Sequence, residues 1–68
     1  MFEATQHFFD RVAERGLASA DITEAYKYGK RFARYGKANQ FIYKGERVTL
    51  VVQLVGRTER FLTAYRSN

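Results

Sequence analysis

The segment 48–55 (VTLVVQLV) constrains the fold of this chain more than any other. Six of its eight residues are apolar, and because successive side chains of a β-strand point to opposite faces, this strand is apolar on both faces. Such a strand belongs in the middle of a sheet. Other segments rich in β-branched and aromatic residues are separated by glycines. They predict strands at about residues 31–35, 40–43, 47–55 and 59–66.

The hydrophobic pattern of the preceding part of the chain is helical. Residues from about 4 to 15 place their apolar side chains on one arc of a helix and their charged side chains on the other. We expect this helix to end at Gly16, which can adopt the left-handed conformation that closes helices. Ser19 offers a capping oxygen to a second helix at about residues 19–28, which Gly29 ends.

These elements predict an α+β fold in one domain, residues 1–68, with two N-terminal helices packed on one face of a four-stranded antiparallel sheet. The short links 44–46 and 56–58 favour hairpins, so the last three strands are expected to form a meander. Two helices cannot cover both faces of a sheet, so part of the second face is exposed or covered by a partner. A homodimer and a strand added from another protein both fit that surface.

The composition excludes several classes of site. The chain has no cysteine and one histidine, so a zinc site would need borrowed ligands, and we predict no metal and no cofactor. The pairs Gly29-Lys30 and Gly36-Lys37 lack the earlier glycine of a phosphate-binding Walker loop. No apolar run approaches the roughly 20 residues of a membrane span, and Glu3 interrupts any signal peptide. We therefore expect a cytoplasmic protein with no membrane contact.

Charge is divided unevenly along the chain. Residues 1–26 hold five acidic and two basic side chains, a net charge of −3, whereas residues 27–68 hold two acidic and ten basic ones, a net charge of +8. A domain with one strongly basic part has a surface that can hold a polyanion. The pattern predicts RNA or another nucleic acid as a partner, and it equally allows an acidic protein.

The polar face of the first helix is a candidate site. His7, Arg11 and Arg15 follow one another at intervals of four, so they project from one side of the helix. A histidine there can donate or accept a proton near neutral pH. The alternative interpretation is a solvated helix face, on which Asp10 and Glu14 pair with the arginines.

The segment 27–37 is a second candidate, because it carries no acidic residue. Its cations suit phosphate contacts, and Tyr28, Phe32 and Tyr35 between them suit base stacking. The alternative is that Phe32 and one tyrosine are core residues and that the cations only solvate the surface. With two arginines from outside the segment, the predicted nucleic-acid-binding residues are Arg15, Lys27, Lys30, Arg31, Arg34, Lys37 and Arg66.

The order of the motifs resembles a family of short bacterial domains similar to the RelE and BrnT group of toxin endoribonucleases. The resemblance covers almost the whole chain. Ala18 departs from the pattern, which has Ser or Thr there to cap the second helix. The matching residues are His7, Arg11, Glu14-Arg15-Gly16-Leu17, Asp21-Ile22, Gly29, Val51-Val52 and Thr63-Ala64-Tyr65.

The resemblance implies a RelE-like fold and metal-free cleavage of messenger RNA by a toxin that an antitoxin neutralises. Such cleavage needs a base for the 2′-hydroxyl proton, cations for the phosphorane and a donor to the leaving oxygen. By strand alternation, however, Arg60 and Arg66 are expected to face away from Tyr65. The residues that the resemblance makes candidates for catalysis are His7, Arg11, Arg57, Arg60 and Tyr65.

Two other functions fit the same sequence. One is a non-catalytic binding protein on this scaffold, such as a phage or plasmid inhibitor that occupies a nucleic-acid or protein site. The other is a plain RNA- or DNA-binding module. Growth arrest on expression that depends on His7 separates the enzyme from both.

Overall fold

The structure, a computed structural model, describes residues 2–67 and is an α+β fold with two helices and one five-stranded sheet. The strand order in the sheet is β1-β5-β4-β3-β2. Along the chain the elements are β1 (Phe2–Ala4), α1 (Gln6–Arg15), α2 (Ser19–Tyr28), β2 (Lys30–Ala33), β3 (Gln40–Lys44), β4 (Val48–Val55) and β5 (Thr58–Arg66).

The α+β class and the two helices are confirmed, but the predicted four-stranded antiparallel sheet is wrong. The sheet has a fifth strand, β1, which pairs with β5 in parallel and makes the sheet mixed. The residues of β1 overlap the predicted start of the first helix near residue 4, whereas α1 begins at Gln6. A strand of three residues shows no alternation of polarity that could separate it from the first turn of a helix.

Thr5 joins β1 to α1. Its hydroxyl oxygen accepts the backbone N–H of Phe8 at 3.1 Å, which caps the helix. The same hydroxyl lies within donor distance of the carbonyl oxygens of Phe61 (3.3 Å) and Leu62 (3.2 Å) in β5. One side chain therefore begins the helix and attaches its N-terminus to the sheet.

The other helix ends follow the sequence with one exception. Gly16 closes α1 in the left-handed conformation, with φ of 61°, and Leu17 behind it is buried. Gly29 ends α2. The capping role predicted for Ser19 is wrong, because Ala18 is the N-cap of α2 and provides no side-chain hydrogen bond. Ser19 is already inside the helix, so the cap position has no hydroxyl oxygen to accept the free N–H groups.

Both helices pack on one face of the sheet. α1 lies along β5, and α2 lies over β4 and the near end of β3. Leu50, Val48 and Val52 of the central strand are the largest side chains that are fully buried. They pack with Phe8 of α1 and Ala25 of α2. The apolar run 48–55 is thus the centre of the core.

A β-bulge changes which side chains of β5 share a face. Val51 pairs with Thr63, but the next residue, Val52, pairs with Phe61, so Leu62 is an extra residue in β5. From Phe61 back to Thr58, each side chain therefore lies on the face opposite to the one that simple alternation from Thr63 predicts. Phe61 consequently reaches the helix-covered face, where its ring lies 5.4 Å from that of Phe8.

The opposite face of the sheet is uncovered among residues 2–67, since both helices lie on the first one. We call it the open face. Its middle is nevertheless closed to solvent, because Val51 lies in the central strand between side chains of the flanking strands and is buried. Thr49 is also buried there and donates its hydroxyl proton to Ser67 (2.9 Å), whose own proton goes to the carbonyl oxygen of Gly45.

Candidate nucleic-acid interface

The structure does not bring together the residues predicted for catalysis. His7 is exposed on the first turn of α1, on the helix-covered side of the sheet. Tyr65 and Arg60 project from the open face, and Arg57 lies in the turn between β4 and β5. The sheet therefore lies between the one histidine and the tyrosine that were expected to share a proton-transfer site.

The bulge corrects one part of the expectation. Arg60 was predicted to face away from Tyr65, but with Leu62 inserted between them both lie on the open face. Arg66 is on the helix-covered face, as alternation predicted. The prediction for Arg60 was wrong because simple alternation holds only where the strand has no extra residue.

Three of the candidate arginines make contacts that involve α1. Arg11 pairs with Glu14 at 2.6 Å, as the interpretation of a solvated helix face predicted. Arg15 donates to the carbonyl oxygen of Ala64 (2.6 Å), and Arg66 donates to the carbonyl oxygen of Arg15 (2.7 Å). The last two join the C-terminal end of α1 to β5, so their side chains are engaged in holding the helix on the sheet.

The basic segment 27–37 is distributed over several surfaces. Lys27 lies on α2, Lys30 on the open face, and Arg31 on the helix-covered face. The Arg31 guanidinium lies 4.1 Å from the centre of the Phe41 ring and 5.7 Å from that of Tyr43.

The rest of the segment forms the loop between β2 and β3. Arg34 donates to the side-chain oxygen of Gln40 at 3.0 Å, and Lys37 is exposed in the same loop. Phe32, Tyr28 and Tyr35 are all exposed, so the interpretation of Phe32 and one of these tyrosines as core residues is wrong.

Three rows of side chains cross the open face, as the pairing register shows. The first row is Lys30, Lys44, Thr49 and Tyr65. The second row is Phe32, Ile42, Val51 and Thr63. The third row is Gln40, Gln53, Arg60 and Glu3.

Five members of these rows are exposed: four are aromatic or basic, and the fifth is Glu3. Phe32 retains 49% of its accessible surface and Tyr65 38%. Three inter-strand spacings of about 4.8 Å separate β2 from β5, so Phe32 and Tyr65 are roughly 15 Å apart. That separation allows them to contact two different bases of one strand.

The charge of the open face is positive. Arg60 is paired with Glu3, its row neighbour, at 2.7 Å. The other ion pair among residues 2–67 joins Arg11 to Glu14 on α1, so Lys30 and Lys44 are in neither. Their charges are therefore available to a ligand.

Sequence reasoning missed Lys44, Gln40 and Gln53 as members of this surface. Lys44 is next to a turn glycine and was interpreted only as part of a hairpin link. Its position beside Lys30 follows from the register of β2 with β3, in which the two residues are direct partners. The short links 44–46 and 56–58 predicted hairpins but not the register in which the strands pair. A shift of the register by one residue would have placed Lys44 on the other face of the sheet.

Comparisons with known proteins add no family to this picture: no protein-family model, curated protein or solved structure matches the chain. The resemblance to the RelE and BrnT group therefore stays a prediction. Among residues 2–67, no cluster of three His, Asp or Glu side chains could hold a metal ion. Neither helix is long and apolar enough to cross a lipid bilayer.

Proposed function

We propose that this protein binds single-stranded nucleic acid, RNA in the first instance, on the open face of its sheet. The observation that carries the proposal is the pair of exposed aromatic rings, Phe32 and Tyr65, on the face that also presents Lys30 and Lys44. Lysines contact phosphates, and aromatic rings stack on bases without regard to sequence.

The aromatic rings favour a single strand over a duplex. A ring on an uncovered sheet can stack only on a base whose own face is free, and in a duplex that face is occupied by neighbouring bases. The amides of Gln40 and Gln53 add hydrogen-bonding groups in the third row. The surface thus provides stacking, phosphate contact and polar contact to one extended strand.

A second copy of the chain is the competing occupant of this face. Ile42 and the rings beside it would provide an apolar contact. In a symmetric dimer the same patch is buried on both copies, so two Lys30 and two Lys44 charges would enter the interface. Removing these charges from water opposes that arrangement, whereas a polyanion neutralises them. The charge of the open face therefore favours nucleic acid over a second copy.

The test is the affinity of the chain for a fluorescein-labelled single-stranded RNA of mixed sequence, measured by anisotropy. We expect Phe32→Ala and Tyr65→Ala each to weaken binding by about 5-fold to 150-fold, because one base–aromatic stack contributes roughly 1–3 kcal/mol. Phe9→Ala is the matched control, since Phe9 is 57% exposed on α1, on the other side of the sheet. Equal affinity of all three variants and the parent chain would overturn the proposal.

The toxin endoribonuclease, neutralised by an antitoxin that covers the open face, is the second candidate. The exposure of His7 favours it, because a solvent-accessible imidazole can reach an RNA that passes over α1. The same labelled RNA distinguishes the two functions. Cleavage in the presence of chelator that is lost in His7→Ala supports the enzyme, whereas binding without cleavage supports the binding protein.

A further inference from the structure

A hollow of about 520 Å³ lies at the corner of the sheet where α2 continues into β2. We call it the corner hollow. Phe32, Lys30 and Lys44 line it and also belong to the open face, so the hollow and the face are continuous. The remaining lining residues are Glu24, Tyr28, Gly29, Gly45 and Glu46.

Close backbone contacts fix the walls of the corner hollow. A Cβ atom on Gly45 would lie 2.7 Å from Cβ of Ala25, and one on Gly29 would overlap the Ala25 carbonyl oxygen. Glu24 of α2 accepts the backbone N–H of Glu46 at 3.1 Å. The helix and the β3–β4 turn therefore meet without space between them, and the hollow exists before any ligand arrives.

The chemistry of the lining selects a particular kind of ligand. Tyr28 is 79% exposed, and with Phe32 it provides two accessible aromatic rings. Lys30 and Lys44 are balanced by Glu24 and Glu46, so these four groups carry no net charge. A bare anion gains little there, whereas a molecule with a phosphate, an aromatic ring and N–H donors can satisfy all three kinds of group. A nucleotide is such a molecule.

The carboxylates select among the bases. One oxygen of Glu24 is engaged by the turn, while Glu46 is exposed at the rim. The Watson–Crick edge of guanine presents two adjacent donors, N1–H and the 2-amino group, and one carboxylate can accept both. Adenine and cytosine offer one amino donor beside an acceptor nitrogen, and uracil offers one N–H between two carbonyls. The Glu46 carboxylate therefore fits guanine best.

We propose that the corner hollow seats one guanine of the strand bound to the open face. Its ring lies against Tyr28 and Phe32, its phosphate lies at Lys30 and Lys44, and its Watson–Crick edge bonds Glu46. This inference rests on the proposed function, since the strand reaches the hollow across the open face.

The test compares four labelled single-stranded RNA 8-mers: all-uridine, and the same strand with one guanosine, adenosine or inosine. We expect the guanosine strand to bind about tenfold more tightly than the adenosine strand, and inosine, which lacks the 2-amino group, to lie between them. Glu46→Gln should abolish the preference for guanosine. Glu14→Gln on α1 is the matched control and should retain it.

Each outcome separates this inference from the proposed function. Equal binding of all four strands, or a guanosine preference that survives Glu46→Gln, overturns the guanine site and leaves strand binding intact. Binding of guanosine 5′-monophosphate at Tyr28, detected by NMR, with no binding of any strand supports the hollow and overturns the proposed function. If neither the mononucleotide nor a strand binds, both proposals are wrong.

Discussion

Tyr26 lies between α2 and the sheet and donates its hydroxyl proton to the Glu59 carboxylate at 3.0 Å. Burial, and then the hydrogen bond and the negative charge of Glu59, raise the pKa of Tyr26 to about 12. The neutral phenol is thus favoured more in the folded protein than in the unfolded chain, where a tyrosine pKa is about 10. The resulting stability is complete below pH 10 and is lost as the pH rises towards 12.

We therefore expect the free energy of unfolding, measured with urea, to fall between about pH 10 and pH 12. Burial raises the pKa of Tyr43 as well, so both phenols act in the same direction. Glu59→Gln removes the carboxylate charge and should move the pKa of Tyr26 part of the way back, as phenolate absorbance would show. An unchanged Tyr26 titration in that variant would contradict the role given to Glu59.

The elements that the sequence predicted well are those with a clear period. The central strand was recognisable because a long apolar run needs cover on both faces, and both helices ended at glycines. β1 was missed because its partner, β5, is more than fifty residues away and three residues carry no period of their own. The bulge at Leu62 was missed for a related reason, since it is defined by pairing between β4 and β5.

The candidate site shows the same division. Residue type alone singled out three members of the site: Phe32 for base stacking, Tyr65 for catalysis and Lys30 for phosphate contact. Their common surface depends on register, which also brings in Lys44 and Gln53. Residue type could predict a basic, aromatic protein surface, whereas pairing between distant strands decides which residues form it.

The attachment of α1 to the sheet gives a prediction for a whole element. Thr5→Ala removes both the helix cap and the hydroxyl contacts to Phe61 and Leu62. We expect a loss of about 1–2 kcal/mol in the free energy of unfolding, measured by urea titration. Thr5→Ser keeps the hydroxyl and is the control. Equal loss in the two variants would mean that the methyl group, and not the hydroxyl, holds the helix.

For the whole molecule, the charge split along the chain becomes a split between layers. The segment 6–28, which forms both helices, has a net charge of −1, whereas residues 30–67 have a net charge of +7. A polyanion is therefore drawn to the sheet and its loops and away from the helices. This asymmetry orients a strand at a distance, before the stacking contacts of the open face form.

The salt dependence of binding tests which cations contact phosphate. For a single strand, the logarithm of the binding constant falls with the logarithm of salt concentration, with a slope of about −0.7 for each phosphate contact. Lys30→Gln and Lys44→Gln should each make the slope shallower by about 0.7, measured by RNA anisotropy over a salt series. Lys27→Gln is the control, because Lys27 lies on α2 at a hollow of the helix-covered side. If Lys27→Gln makes the slope as shallow as Lys44→Gln does, then RNA affinity depends on the total charge of the protein, and the open face is not the binding site.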